Sequence, residues 1–279
     1  MPYVTLNRVQ HYYEWICDEE SAREEERPVL VFLHGWGGSA RYWEQTANSF
    51  KHRFDCLLYD LRGFGRSAAA DNVTDKRGTL ESFADDLAEL LDALNLGCVY
   101  LNAHSMGASV ALYFLERFPK RVHKAVLTCN GTFEYDKRAF EAFQRFGSYV
   151  VLFRPGWLEY IPLAPQIFMA RFLKRSIPYS DKKVFLKDFL QADTATAIAT
   201  LKASVSKHAT QAMPKAFAAL EVPALLVAGQ YDQITPAELG RKAASLNNKI
   251  EYFEVPGTGH FPMLEDAKTY ETAVVNFLC

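Results

Sequence analysis

Ser105 lies where an apolar run changes into a helix-like pattern, within the stretch CVYLNAHSMGASVALYFLERF of residues 98–118. Its flanks are small, because Ala103 stands two residues before it and Gly107 two residues after it. A sharp strand-to-helix turn crowds the neighbouring backbone, so small residues at these positions leave the hydroxyl exposed beneath the helix N-terminus. The pattern therefore predicts an approachable hydroxyl at the carboxyl edge of a sheet.

Two later residues could supply acid–base chemistry to this hydroxyl. Asp232 follows an apolar run in LLVAGQYDQITP, and His260 stands between glycine-rich and apolar residues in FEVPGTGHFPMLE. The carboxyl ends of parallel strands meet at one edge of a sheet, so both residues are expected at the edge that holds Ser105. An imidazole within hydrogen-bonding reach of a hydroxyl can take its proton, and a carboxylate can fix the imidazole tautomer.

This arrangement resembles the α/β-hydrolase family, whose nucleophile elbow reads G-x-S-x-G and whose catalytic residues run serine, acid, histidine along the chain. Ala103 in place of the first glycine is the one departure from that motif. The resemblance implies a catalytic triad of Ser105, Asp232 and His260. A serine in this position argues against the dehalogenases and epoxide hydrolases of the same family, which use aspartate there.

Other acidic and histidine residues are weaker candidates for the same roles. Some relatives carry the acid after the sixth strand, where this sequence has Asn130 in LTCNGT, and Glu134 is the nearest alternative acid. His104 directly precedes the serine, and adjacent residues at a strand end point apart, so we interpret it as structural. His34 is also interpreted as architectural.

The loop LHGWGGSARYW, residues 33–43, matches the HG-type loop that supplies an oxyanion donor in the resembled family. The resemblance implies that the backbone N–H groups of Trp36 and Met106 form the oxyanion hole, with the Trp36 ring as a wall of the pocket. Losing one such donor typically raises a reaction barrier by about 2.7 to 4 kcal/mol. The implied chemistry uses neither a metal ion nor an organic cofactor.

The same loop permits a rival interpretation as a dinucleotide-binding oxidoreductase. It contains a G-x-G-x-x-A pattern directly after a predicted strand, with Asp55 or Asp60 near the place of a ribose-binding acid. A second loose match occurs at Gly63, Gly65 and Ala68. Two strands precede the fingerprint, and this interpretation leaves the serine, acid and histidine unexplained, so we favour the hydrolase.

The elements that must position these residues alternate between strand-like and helical patterns. A helix is predicted over TLESFADDLAELLDALNL, with Thr79 as N-cap and Gly97 after its end. Continuous apolar runs suit a parallel sheet that is covered on both faces. We therefore predict an α/β fold with a mostly parallel, doubly wound sheet of eight strands, within residues 3–7, 9–17, 29–34, 56–60, 98–102, 125–129, 224–229 and 250–255.

Residues 133–213 interrupt this alternation, because they contain helical segments and no strand-like run. Phe, Tyr and Trp are crowded into residues 133–179. We predict an inserted helical cap over 133–213, between a first core segment of residues 1–132 and a second of residues 214–279. Most of the rings are expected to pack within the cap or against the sheet, and the remainder to line a pocket.

Composition limits the partners and the compartment. The chain has 279 residues, 49% apolar and 23% charged, with a formal net charge of -2, so it lacks the basic field that nucleic acids require. Its cysteines are odd in number and widely spaced, which speaks against a disulfide framework or a zinc site and favours a reducing compartment. No signal-peptide pattern or transmembrane run is present, so a cytoplasmic protein is expected. The charge run of residues 18–27 is interpreted as a solvated loop.

These expectations define a serine hydrolase that cleaves a carboxylic ester with a hydrophobic acyl or aromatic group, through an acyl-enzyme on Ser105. A carbon–carbon bond hydrolase or a lactonase with the same triad is an alternative, as is a perhydrolase. A ligand sensor with little turnover, in which the segment RFLKRSIPY of residues 171–179 contacts a partner or a membrane, is an alternative of another class. The sequence leaves the oligomeric state open.

Overall fold

The structure is a computed structural model that describes residues 2–18, 27–70 and 78–279. Residues 19–26, which make up most of the charged loop predicted at 18–27, lie outside the described residues. The strands are β1 (Tyr3–Leu6), β2 (Val9–Ile16), β3 (Val29–Leu33), β4 (Asp55–Tyr59), β5 (Val99–His104), β6 (Val122–Thr128), β7 (Ala224–Gly229) and β8 (Ile250–Val255).

The eight strands form one sheet in the order β1-β2-β4-β3-β5-β6-β7-β8. Only the first two strands run against their neighbours, since β1 pairs antiparallel with β2 and β2 antiparallel with β4. All other neighbours pair in parallel. The predicted mostly parallel sheet is confirmed. The direction in which the chain adds strands reverses between β3 and β5, and these two strands lead into the HG loop and the turn at Ser105.

Helices connect the strands and cover the sheet. They are α1 (Glu44–Phe50), α2 (Leu80–Ala93), α3 (Met106–Arg117), α4 (Lys137–Leu152), α5 (Ala164–Met169), α6 (Tyr179–Gln191), α7 (Thr194–Ser204), α8 (Lys207–Ala218), α9 (Ala237–Ala244), α10 (Pro262–Glu265) and α11 (Ala267–Leu278). Thr79 is the N-cap residue of α2, as predicted, because its hydroxyl accepts a hydrogen bond from the Ser82 N–H at 3.3 Å.

The continuous apolar runs of the central strands are explained by two hydrophobic cores, one on each face of the sheet. Along β3, Val31 and Leu33 belong to one core while Leu30 and Phe32 belong to the other. The same alternation continues along β4 and β7. Both faces of these strands are therefore buried, so their sequences lack the alternation of apolar and polar residues that a half-exposed strand shows.

Strand β5 extends two residues beyond the predicted end at residue 102. Ala103 and His104 pair with Leu127 and Thr128 of β6. Their small and polar side chains give no strand signal, but the backbone pairing with β6 continues the ladder. The extension carries β5 directly into the turn at Ser105.

Five helices, α4 to α8, lie between β6 and β7, in the segment where the sequence predicts a cap. The predicted boundary at residue 213 falls inside α8, whose buried Met213 and Phe217 join the core beside α3. The division into core and cap therefore stays a prediction. Among the described residues, no helix is both long enough and apolar enough to span a bilayer.

Candidate active site

Ser105 occupies a sharp turn between β5 and α3. Its backbone lies in the left-handed region, with φ 53° and ψ -119°, a conformation that is uncommon for a residue with a side chain. The turn is held by hydrogen bonds on both sides: the Ser105 N–H donates to the Thr128 carbonyl at 2.8 Å, and its carbonyl accepts from Ala108 N–H at 3.0 Å. Ser105 is the N-cap residue of α3, at the predicted strand-to-helix turn, and it is half-buried where the sequence predicts an exposed hydroxyl.

The two flanking positions differ in what they tolerate. A Cβ on Gly107 would lie 2.4 Å from the His34 carbonyl oxygen, so any side chain there would collide with the backbone after β3. Ala103 lies in the extended strand β5 and is fully buried, with its methyl group in the core. The departure from the family motif therefore falls at the position where a methyl group fits.

The structure brings Ser105, His260 and Asp232 together in one hydrogen-bonded series. His260 Nε2 lies 3.1 Å from Ser105 Oγ, and His260 Nδ1 lies 2.7 Å from Asp232 Oδ2. His260 and Asp232 are both buried, with 3% and 5% of their surface exposed. The imidazole is thus placed to accept a proton from the hydroxyl on one side while the carboxylate receives its Nδ1–H on the other.

Backbone amides fix the Asp232 carboxylate in turn. Its second oxygen, Oδ1, accepts hydrogen bonds from Ile234 N–H at 2.7 Å and from Thr235 N–H at 3.0 Å. These two donors support a charged carboxylate in a buried position. The buried thiol of Cys129 lies beside the same carboxylate, and burial together with this negative neighbour raises the pKa of Cys129 well above its usual range.

The candidate oxyanion donors lie in the HG loop and at the start of α3. Met106 N–H opens α3, where the first amides of a helix have no intrahelical acceptor. Within the described chain, neither this N–H nor that of Trp36 donates to a protein acceptor. Both amides are therefore free to donate a hydrogen bond to a ligand oxygen.

A hydrogen-bonded series that the sequence did not reveal joins the two loops around the site. The Gly35 N–H donates to the Tyr42 hydroxyl, and Tyr42 donates to His104 Nδ1 at 2.9 Å. His104 Nε2 then donates to the His260 carbonyl at 2.8 Å. His104 is therefore a structural residue, as expected. Tyr42 was missed because its only sequence signal is an aromatic residue in the HG loop.

His34 and Asn130 hold the backbone around the nucleophile. His34 Nε2 accepts from Leu61 N–H at 2.9 Å, and its Nδ1 donates to the Gly35 carbonyl. The Asn130 amide donates to the Ser105 carbonyl at 3.1 Å and to Ser109 Oγ at 2.8 Å. Asn130, two residues after the end of β6, thus holds the backbone of the elbow and is not an acid.

The alternative acid and the rival ribose-binding acid are engaged elsewhere. Glu134 is exposed and forms an ion pair with Lys242 at 2.7 Å. Asp60 is buried and accepts hydrogen bonds from Ala40 N–H and from the Arg66 side chain, both at 2.7 Å. Burial opposes the ionisation of Asp60, but the hydrogen bonds and charge of Arg66 outweigh it and lower its pKa. The Asp60 carboxylate holds the HG loop through Ala40. This structural role explains an acidic residue after β4, and no dinucleotide ligand is needed to explain it.

One group of potential metal ligands occurs in the described chain. Ligand atoms of His104, Cys129 and His260 lie within 4.8 Å of one another. All four ring nitrogens of the two histidines already have hydrogen-bond partners in the series described above. The histidine nitrogens of this group are therefore already used in the hydrogen bonds that position the candidate triad.

Aromatic side chains from the segment between β6 and β7 lie next to the candidate site. The Phe172 carbonyl accepts a hydrogen bond from His260 N–H at 2.7 Å, and the ring of Phe172 lies 6.1 Å from the imidazole. Trp36 Nε1 donates to the Ala197 carbonyl of α7, and its ring lies 5.8 Å from Phe189. The loop that carries one candidate oxyanion donor is thus attached to α7, and aromatic rings lie beside that loop and beside the imidazole of His260.

Comparison with known proteins agrees with this architecture. A family model described as "alpha/beta hydrolase fold" matches residues 28–267. The chain is 27% identical over 264 residues to a bifunctional esterase/perhydrolase of Acinetobacter calcoaceticus, covering 91% of this chain and 92% of that protein. It is 23% identical over 251 residues to 3-oxoadipate enol-lactonase 1 of Acinetobacter baylyi, covering 88% and 86%.

Among solved structures, a hydrolase from Pseudomonas aeruginosa superposes with a TM-score of 0.80 at 20% identity, over 99% of this chain and 97% of that chain. The predicted fold and the prediction of a hydrolytic enzyme are confirmed. The chain belongs to the α/β-hydrolase fold family.

Proposed function

We propose that the protein is a serine hydrolase that cleaves carboxylic esters through an acyl-enzyme on Ser105. The observation that carries this proposal is the hydrogen-bonded series Ser105 Oγ, His260 and Asp232, with distances of 3.1 and 2.7 Å. The unengaged amides of Trp36 and Met106 support it, since they are free to bind the oxygen of a tetrahedral intermediate.

In the first step, His260 takes the proton of Ser105 as Oγ attacks the carbonyl carbon of the ester. Asp232 keeps the imidazole in the tautomer whose Nε2 is the acceptor and stabilises the imidazolium that forms. His260 then gives its proton to the leaving alkoxide oxygen, which departs as the alcohol. Ser105 is left esterified by the acyl group.

In the second step, water attacks the acyl-enzyme while His260 accepts its proton. The tetrahedral intermediate collapses, Ser105 regains the proton and the carboxylic acid leaves. Every proton moves between substrate, water and these side chains, so the cycle closes without a metal ion or an organic cofactor.

The aromatic rings beside His260 and beside the HG loop favour a hydrophobic acyl or aromatic group. Phe168, Phe172 and Phe189 supply rings from the cap, and Trp36 supplies one from the HG loop. The relative named as an esterase/perhydrolase supports an ester substrate. The relative named as an enol-lactonase favours a lactone as second candidate, because a lactone is a cyclic ester and opens by the same steps. Carbon–carbon bond cleavage with the same triad is the third.

A substrate panel with a covalent probe tests the proposal. Purified protein is assayed with p-nitrophenyl esters of increasing acyl length, with lactones and with a vinylogous diketone, and a fluorophosphonate probe is mapped by mass spectrometry. We expect ester hydrolysis, labelling of Ser105, and a loss of at least about 10⁴-fold in Ser105→Ala. Labelling elsewhere would remove Ser105 as nucleophile, and ligand stabilisation without turnover on any substrate would favour the sensor.

We propose that the enzyme works in the cytoplasm. The five cysteines all lie in the described chain as free thiols, and this supports a reducing compartment.

A further inference from the structure

The cap exposes an unusual concentration of apolar side chains on its outer side. In the described chain, eleven of the seventeen exposed large apolar residues lie between residues 143 and 167. Scattered exposed apolar residues are normal, whereas a contiguous apolar patch marks an interaction site. We name the eleven exposed apolar residues between 143 and 167 the outer cap surface; its most exposed members are Phe146, Phe153, Trp157, Tyr160, Leu163 and Ile167.

Helix α4 exposes apolar side chains although it is packed against a neighbouring helix. One face of the helix lies against α7: the Gln144 amide donates to the Lys202 and Val205 carbonyls, and a Cβ on Gly147 would lie 2.5 Å from Leu201 Cδ2. The opposite face carries Phe146, and Phe153 follows the helix directly; these two side chains are 64% and 76% exposed. The helix is therefore apolar on the side that no element of the described chain covers.

Helix α5 links the outer cap surface to the wall of the proposed active site. On its inner side Phe168 stacks against Phe189 at 4.9 Å. On its outer side the neighbouring residue Ile167 is 73% exposed, and Leu163 just before the helix is 63% exposed. Helix α5 therefore packs on one side against Phe189, whose ring lies beside Trp36, and exposes apolar side chains on the other side.

The charge of the cap differs from that of the rest of the chain. Residues 133–213 contain twelve Lys and Arg and seven Asp and Glu, a formal charge of +5, whereas the whole chain carries -2. Arg138 and Arg145 are exposed on α4 beside its apolar face, with the exposed Glu141 between them. Between residues 146 and 170 the only charged side chains are Arg154 and Glu159, and Arg154 is turned to the Phe189 and Ala192 carbonyls.

An apolar centre rich in Trp, Tyr and Phe, with basic residues at its border, matches the chemistry of an anionic lipid surface. Aromatic and aliphatic side chains enter the boundary between headgroups and acyl chains, and Lys and Arg attract the phosphates. A second copy of the chain fits less well. In a two-fold dimer the same patch meets itself, so two positively charged caps would face each other.

We propose that the outer cap surface docks the protein on an anionic lipid bilayer. The docking depends on the exposed face of the cap and not on the candidate triad. Ser105→Ala should therefore bind lipid as the wild type does, which separates a failure of this proposal from a failure of the proposed function.

Co-sedimentation with sucrose-loaded vesicles tests the docking. The protein is mixed with vesicles of phosphatidylcholine containing 30% phosphatidylglycerol, a composition of about one anionic lipid in three, or with phosphatidylcholine alone. We expect binding to the anionic vesicles, weaker binding to the neutral ones, and release as salt is raised. The double variant Phe146→Ser/Phe153→Ser should lose at least about tenfold in partition coefficient.

A matched double variant removes two exposed apolar residues from other surfaces. Tyr3→Ser/Leu246→Ser should bind anionic vesicles within about twofold of the wild type, and circular dichroism should show that both double variants are folded. Absence of binding to the anionic vesicles, or equal loss in the two double variants, would overturn the proposal. A wild-type dimer in light scattering that dissociates in Phe146→Ser/Phe153→Ser would also overturn it, since a second copy would then cover the patch.

Discussion

The imidazole of His104 donates a hydrogen bond from Nε2 to the backbone carbonyl of His260, at 2.8 Å. Its other nitrogen accepts the Tyr42 hydroxyl proton, and the Tyr42 oxygen accepts the Gly35 N–H. Buried hydrogen-bond series of this kind fix the relative position of the segments that they join. Here they join the loop that carries Trp36 to the loop that carries His260, so one side-chain network sets the distance between the candidate oxyanion donor and the candidate base.

Tyr42→Phe should weaken both the fold and the site. Removing the hydroxyl leaves the Gly35 N–H and His104 Nδ1 without a partner, and a buried unpaired group costs about 1–3 kcal/mol. We expect a fall in the free energy of unfolding of that size for each group, measured by urea denaturation, and a fall of about tenfold in kcat for an ester substrate. Tyr149→Phe, at an exposed position of α4, is the control and should change neither quantity. Unchanged stability in Tyr42→Phe would contradict the network.

Asp232→Asn should reduce kcat/KM for the best ester by about 10⁴-fold while the fold is kept, because an amide favours the wrong tautomer of His260. Glu134→Gln should leave kcat/KM unchanged, since Glu134 is an exposed partner of Lys242. Steady-state kinetics on the two variants decide between the acids. Loss in Glu134→Gln together with activity in Asp232→Asn would reverse the assignment.

Substitutions at the two small residues around Ser105 should have opposite outcomes. In Gly107→Val the new Cβ would meet the His34 carbonyl at 2.4 Å, so we expect destabilisation by about 3 kcal/mol or more and little soluble protein. Ala103→Gly, which restores the family motif, removes a buried methyl from an extended strand and should cost about 1 kcal/mol with activity retained. Thermal unfolding and the ester assay read out both variants. A stable, active Gly107→Val would show that the turn does not require close backbone approach.

Buried histidines should make the fold sensitive to acid. Burial lowers the pKa of His11 to about 4, and burial also lowers the pKa values of His34 and His104. An unfolded chain binds a proton on each histidine below pH of about 6.5 while the folded chain does not, so stability present above that pH is lost as pH falls. Each histidine contributes about 1.4 kcal/mol per pH unit in this window.

The contribution of His11 can be isolated in His11→Gln. We expect the dependence of the free energy of unfolding on pH, measured by urea denaturation between about pH 6.5 and 4.5, to become shallower by about 1.4 kcal/mol per pH unit. The slope is compared within each protein, so a general loss of stability in the variant does not affect the comparison. Equal slopes in the two proteins would mean that His11 is protonated in the folded state.

The sequence by itself was sufficient to predict the sheet, the turn at Ser105 and the edge of the sheet at which Ser105, Asp232 and His260 lie. Ser105, Asp232 and His260 each follow a strand whose apolar run is visible in the sequence, and parallel strands end at a common edge. The need for a small residue at Gly107 can also be read from the sequence, because the sharp turn restricts the size of the residues next to Ser105. These features depend on neighbouring residues or on strand direction, and sequence patterns contain information on both.

Only the tertiary structure decided which side chains support that edge and which apolar side chains of α4 are exposed. Tyr42, His104 and Cys129 contact the candidate site across many intervening residues, and no periodicity in the sequence encodes such contacts. The helical pattern of α8 predicts an apolar face but not the surface that covers it, and that face joins the sheet core. Phe146 and Phe153 likewise read as packing residues, because hydrophobicity in a sequence is the same for a buried and an exposed ring; their exposure depends on which face of α4 packs against α7.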